Sequence, residues 1–289
     1  DPVSYSRVNN IIKRSRSPLK LVTIFNEDGS SIQGDMSYID LNTAEKLSDE
    51  AIKKIIESYS IANDDAGRWA EFCNGSPRMA HMIGGNLQYN SSVLRNPSYD
   101  AAMELCIANR DRIDSDEFNT RKKVLMWLSL FTKFGWSTEF ASERKFIISK
   151  IMQKEGLSEG TIEGVIQVLK DRKIIQGDKT LYISPLLLQV WAWKWWWDKY
   201  RGSFSMDQFW EQKDESGNDI EPSEDLLGWF NDMFQYAAEV PGAAEVVKAL
   251  LATSGPLEKE EELVAAIGSR FFLHLTEANP GDSLALVSR

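Results

Sequence analysis

The sequence predicts a mainly α-helical chain with a small α/β portion at its beginning and one hairpin further on. Three observations predict this. From Leu47 onward, apolar residues recur at helical spacing rather than alternating. Breaks rich in Gly, Pro, Asn and Ser interrupt them at short intervals. Strand-like patterns are confined to Leu19–Phe25, Met36–Leu41 and the stretch from Lys173 to Ile183.

The elements follow in order. Val8 to Arg14 reads as a short helix, and Leu19–Phe25 as a strand buried on both faces. Met36–Leu41 is a second short strand. Ser48 is a candidate N-cap, with Asp49 and Glu50 placed where carboxylates favour the helix dipole. Ile52, Ile55 and Ile56 then share a face. Further helices are expected at Asp64–Phe72, from Pro77, and at Tyr99–Asn109, making a small helical subdomain. Pro77 suits a first helical position, where its missing N–H costs nothing.

Asp111 to Thr120 reads as a charged linker. Val124–Phe131 is a very apolar helix, followed by helices at Phe140–Lys154 and Thr161–Lys170. Lys173-Ile174-Ile175, a Gly177-Asp178 turn and Thr180–Ile183 make a hairpin. Three helices followed by a hairpin outline a winged helix. Arg201 to Pro222 is polar and acidic, a second linker candidate. Helices are then expected at Glu224–Val240, Ala243–Thr253 and Leu257–Ala278, separated by Pro241-Gly242, Ser254-Gly255-Pro256 and Asn279-Pro280-Gly281. Helices with regular breakers predict the start of a helical array.

Composition narrows the function. The 289 residues are enough for two or three domains. Apolar residues are 43% and charged residues 26%, as in ordinary globular proteins, which argues against wholesale disorder. Lys plus Arg is 33 against 43 Asp plus Glu, a net charge of −10. Such a field repels phosphate and argues against nucleic acid or anionic membrane as a default partner. Two cysteines, Cys73 and Cys106, argue against a disulfide framework and for a reducing cytoplasm. No apolar run approaches the ~20 residues of a membrane span, and no signal peptide is readable. The chain opens Asp1-Pro2-Val3 without Met and stops just after Leu284–Val287, so it reads as a piece of a longer polypeptide.

Most candidate motifs resolve into structural readings. Gly177-Asp178-Lys179-Thr180 lacks the leading glycine and the Gly-Lys pair of a phosphate-binding loop, and it falls in a hairpin. The predicted third helix of the winged helix carries Glu159 and Glu163 against Lys170, a poor face for reading DNA. Gln167, Lys173 and Lys179 are the residues that remain for a duplex. Trp191-Ala192-Trp193-Lys194-Trp195-Trp196-Trp197 lacks the basic face of a membrane helix. A helix buried on more than one side, between two domains, explains it better than a surface role. His81 and His274 have no metal ligand at suitable spacing and no catalytic partner.

Phe72-Cys73-Asn74-Gly75-Ser76-Pro77-Arg78-Met79-Ala80 carries the most information. Read alone, it is a turn between helices, with Ser76 as N-cap. In context it resembles the Gly-x-Pro motif of the STAND class of AAA+ NTPases, the group that includes NLR-like immune proteins. The likeness is greatest to prokaryotic antiviral members, to which Gly268–Phe272 is also similar. The order of parts extends the resemblance along the chain. It implies the end of a P-loop NTPase core at 1–46, a helical lid at 47–117, a winged helix at 118–202 and the first helices of a C-terminal sensor array at 203–289. Leu19–Phe25 would be the sensor-1 strand.

The resemblance implies that Pro77 packs on adenine, that Gly75 permits close approach, and that Arg78 senses the phosphates of ATP or ADP held with Mg2+. Thr23 occupies the sensor-1 region, where the family has Arg. No Walker A loop, Walker B strand or Met-His-Asp motif is present, so this segment is not expected to hydrolyse ATP by itself. The implied function is an ATP-dependent switch in antiviral defence. It would sense a protein ligand through the array and form homo-oligomers. A winged-helix DNA-binding regulator, or an origin-recognition-like AAA+ protein, is the alternative. A non-enzymatic helical scaffold is a third reading.

Overall fold

The computed structural model describes residues 46–108, 110–212, 220–238, 240–252, 255–258, 260–267 and 269–288. The helix and strands expected before Lys46, and Thr23 with them, lie outside the described residues.

Helix α1 (Asp49–Glu57) starts where its cap says it should. Ser48 Oγ accepts from Ala51 N at 3.3 Å, and Ile52 and Ile56 face the core. Helix α2 (Asn63–Ala70) tightens into a 3₁₀ turn over Glu71–Cys73. Helix α3 (Pro77–Leu87) follows, with Ser76 Oγ accepting from Met79 N at 3.3 Å. Tyr59 lies across α3 so closely that a Cβ on Gly84 would come within 2.7 Å of its ring. Helix α4 (Tyr99–Ala108) is buried from Ala101 to Ala108 apart from half-buried Glu104, while Tyr99 and Asp100 at its start are exposed.

Helix α5 (Asp116–Leu128) begins inside the stretch read as a linker. Ser115 Oγ accepts from Phe118 N at 3.1 Å, and Asp116 and Glu117 fill the first turn. Asp116 and Glu117 are therefore a helix start, while Asp111 to Ser115 form the connection before it. A short strand β1 (Phe134–Gly135), helix α6 (Ala141–Glu155) and helix α7 (Glu159–Asp171) follow. Gly156 at φ 68° ends α6, and Ser158 caps α7. Strands β2 (Ile175–Gly177) and β3 (Thr180–Ile183) form the expected hairpin. The sheet order is β1-β3-β2, antiparallel throughout, with Phe134 opposite Leu181 and Gln176 opposite Tyr182. The described fold is thus mainly helical with one small three-stranded sheet.

Helix α8 (Leu186–Tyr200) holds the five tryptophans, and none is more than 9% exposed. They meet aromatic rings from several elements. Trp196 contacts Trp127 of α5 at 5.3 Å between centroids, and Trp191 contacts Tyr99 of α4 at 4.8 Å. Trp193 contacts Phe234 at 5.0 Å. Burial on several sides, rather than a surface role, accounts for this composition.

The stretch from Arg201 to Pro222 is not a plain linker. Helix α9 (Met206–Trp210) inserts Phe209 into the core, and Trp210 stacks on Phe146 of α6 at 5.5 Å. Aromatic burial outweighs the polarity of its neighbours. Beyond it, the long helices read from periodicity are broken. Helix α10 (Glu224–Asn231) passes into a 3₁₀ segment at Asp232–Ala238, and helix α11 (Pro241–Leu251) follows. The stretch expected as one helix from Leu257 to Ala278 splits into a 3₁₀ turn (Pro256–Glu258), α12 (Glu260–Ala266) and α13 (Arg270–Ala278). Ser269 Oγ caps α13, accepting from Phe272 N at 3.2 Å. Asn279-Pro280, read as a break, instead caps and opens α14 (Pro280–Val287). Among the described residues, no helix is long and apolar enough to cross a membrane.

Candidate functional site

The Gly-Ser-Pro-Arg turn is built by its backbone. Asn74 and Gly75 both take left-handed conformations, at φ 49° and 71°. Two such residues in succession reverse the chain between the 3₁₀ turn and α3, and glycine adopts this conformation without steric penalty. Ser76 N donates to Cys73 O at 2.9 Å, and Gly75 O accepts from Leu47 N at 3.2 Å. Pro77 then opens α3 with its ring exposed, while Gly75 is buried. This geometry leaves an apolar pyrrolidine ring exposed at the start of a helix.

Arg78 points to the hairpin. Its guanidinium donates to Ser184 Oγ at 2.9 Å and to the carbonyl of Lys173. Ser184 follows β3 directly, and Lys173 sits at φ 61° in the corner between α7 and β2. Arg78 is half-buried, and that burial lowers its pKa, with Cys106 and Tyr182 offsetting part of the shift. The candidate phosphate sensor therefore bridges two parts of the fold that are 106 residues apart in sequence.

Two further arginines reinforce this junction. Arg172, at the end of α7, donates to Ile107 O at 3.0 Å and Cys106 O at 3.1 Å. Arg121 of α5 is only 5% exposed. It donates to Ile107 O at 2.6 Å and Ala108 O at 2.9 Å, and it pairs with Asp111. Both cations cap the C-terminus of α4, where free carbonyls and the helix dipole concentrate negative charge. Burial, together with repulsion from Arg121, pulls Arg172 down to about 10. Asn86 and Asn90 fix the chain after α4, accepting from Arg110 N at 2.6 Å and Ile113 N at 3.0 Å. Sequence reasoning missed Arg121 and Arg172; it placed Ser184 in the Tyr182–Pro185 stretch that stands where the resemblance expects a Met-His-Asp motif, without linking it to Arg78. Their partners are remote in sequence, and no local pattern marks them.

The remaining candidates are structural. His81 Nδ1 lies 2.9 Å from Tyr59 OH, and His274 Nδ1 lies 3.2 Å from Glu277. Among the described residues, no group of His, Cys, Asp and Glu could hold a metal ion. Cys73 and Cys106 are buried free thiols. Burial, with Asp49 adding to it, pushes Cys73 up to about 12, and burial moves Cys106 further still. Glu159 and Glu163 of α7 face Arg144, and Lys179 at the hairpin tip pairs with Glu139 at 2.8 Å. No protein-family model, curated protein or solved structure matches the chain.

Proposed function

We propose that this chain is the regulatory segment of a STAND-type NTPase, a cytoplasmic ATP-dependent switch in antiviral defence. Helices α1–α4 act as the lid. The α5–α8 segment acts as the winged helix, and α10–α14 begin an array that senses a protein ligand and promotes homo-oligomers. The order helix, strand, two helices, hairpin supports the winged-helix reading. The residues fit a nucleotide in part. Pro77 offers an exposed ring to a base, and Arg78 keeps N–H donors beyond the two it has placed. ATP or ADP with Mg2+ would supply the anionic group that Arg78 recognises, and Thr23 would belong to the same site.

One observation carries the proposal. Arg78 belongs to the Gly-Ser-Pro-Arg turn yet spends its hydrogen bonds on the hairpin. A phosphate drawn to Arg78 would compete with Ser184 and the Lys173 carbonyl, so nucleotide state and hairpin position would be coupled. A ligand shifts such an equilibrium only by its differential affinity for the two states. The test is Arg78→Ala in the full-length protein that contains this segment. ATP-dependent activation is expected to weaken. Unchanged nucleotide binding and activation would refute the assignment. Salt-dependent binding of duplex DNA by the α5–α8 face would instead favour a winged-helix regulator.

A further inference from the structure

Pro241-Gly242 reads as a breaker between helices, yet Gly242 lies inside α11 and is buried. A close approach, rather than a turn, explains glycine there. A Cβ would come within 2.8 Å of the Trp191 ring on α8. Trp191 is 5% exposed, and its Nε1 has no hydrogen-bond partner among the described residues. Packing alone therefore sets where this ring sits, and α11 forms one wall of its site.

Another wall is Tyr99, the first residue of α4, at 4.8 Å between ring centroids. Tyr99 in turn meets Phe72 edge-on, at 5.0 Å and 81°. Phe72 belongs to the 3₁₀ turn Glu71–Cys73, and the Cys73 carbonyl accepts from Ser76 N at 2.9 Å. Three rings thus run from α11 to the Gly-Ser-Pro-Arg turn. The start of α4 is tied to α8 beside them. One helical turn along from Trp191, Trp195 Nε1 donates to Asp100 Oδ1 at 2.6 Å. Lys122 of α5 lies 4.2 Å from the centre of that indole and pairs with Glu104 at 2.6 Å. A close-packed row with such a tie passes a displacement on rather than absorbing it.

We propose that Trp191, Tyr99 and Phe72 relay the position of α11 to the Gly-Ser-Pro-Arg turn. The relay rests on reading that turn as the nucleotide contact, and it is the route by which a ligand on the array reaches the nucleotide. Such a ligand acts by favouring one seating of α11 on Trp191 over another. The relay enters the turn from its N-terminal side, through Phe72. The hairpin acts on the other side, through Arg78.

The test is amide hydrogen exchange in the 289-residue chain without nucleotide, comparing the natural protein, Gly242→Ala, Tyr99→Ala and the double variant. Tyr99 is 41% exposed, so its truncation leaves the core closed. Gly242→Ala is expected to speed exchange over residues 72–79 about threefold to tenfold. Helix α7, which carries none of these rings, should not change. The acceleration should vanish when Gly242→Ala is made in the Tyr99→Ala background. Trp191→Phe, which opens the contact rather than crowding it, should shift exchange in the same segment. Unchanged exchange over residues 72–79 in Gly242→Ala or in Trp191→Phe, equal acceleration in α7, or the same acceleration without the Tyr99 ring would each overturn the relay. Unaltered ATP-dependent activation in Arg78→Ala would refute the nucleotide reading instead, and the exchange result would stand apart from it.

Discussion

Arg78 holds α3 to the hairpin, and a double-mutant cycle can measure how strongly. Arg78→Met removes both donors while keeping much of the apolar stem. Ser184→Ala removes one acceptor. A hydrogen bond to a charged group contributes about 1.5–3 kcal/mol, but the Arg78 guanidinium is only half-buried, so water replaces part of what is lost. The expected losses are therefore about 2 kcal/mol for Arg78→Met and about 1 kcal/mol for Ser184→Ala. The double variant should lose about 2 kcal/mol rather than 3, because the shared bond is counted once. The coupling is then about 1 kcal/mol. Urea unfolding of the 289-residue chain, followed by tryptophan emission, reads this as shifts in midpoint at constant slope. Coupling below about 0.3 kcal/mol would refute the bridge, since distant sites add within that margin.

Two further expectations concern stability. Burial, with Lys154 adding to it, lowers Lys150 from 10.5 to about 8, while Glu211 opposes the shift. Between those values the unfolded chain binds more protons than the folded one, so stability rises with pH from about 8 to about 10.5, by up to roughly 3 kcal/mol. The difference in urea stability between the natural chain and Lys150→Met should show this slope; parallel pH profiles would disprove it. Gly242 is the point where α11 approaches α8, and a Cβ there would come within 2.8 Å of the Trp191 ring. Trp191 is buried, so Gly242→Ala should lower stability by about 1–3 kcal/mol. An unchanged melting temperature would mean that the two helices can separate freely.

What the sequence could reveal was local. Ser48, Ser76 and Ser158 announce their helices because a capping hydroxyl acts within three residues. Gly177-Asp178 sits between two short β-branched runs, and the hairpin forms there. Errors arose where tertiary packing overrode composition. The acidic stretch after Arg201 reads as solvated, yet Phe209 and Trp210 are drawn into an aromatic cluster with Phe146 and Phe230. Asn279-Pro280 reads as a stop, but the same pair starts a helix as N-cap and first residue, and periodicity alone does not choose between these roles. The Gly-Ser-Pro-Arg turn was visible as a turn. The partner of Arg78 was not, because hydrogen bonds across 106 residues leave no local pattern.

The charge distribution around the hairpin bears on which reading of the chain is stronger. Winged helices that grip DNA need free cations on the third helix and the wing to neutralise phosphates. Here several of the cations around the third helix and the wing are spent within the chain. Arg144 faces Glu159 and Glu163, Lys179 pairs with Glu139, and Arg172 caps α4. Recruiting Arg172 to phosphate would also leave the Cys106 carbonyl without its guanidinium at a helix end. An unsatisfied buried acceptor costs about 1–3 kcal/mol. A duplex would have to supply that energy in addition to overcoming the repulsion of a chain with net charge −10. Closure of the hairpin on α3 and α4 requires neither, and it uses the guanidinium contacts already in place. A nucleotide at Arg78 would act on a different set of contacts, those to Ser184 and the Lys173 carbonyl, so the proposed coupling of nucleotide to hairpin does not depend on the ion pairs that disfavour DNA.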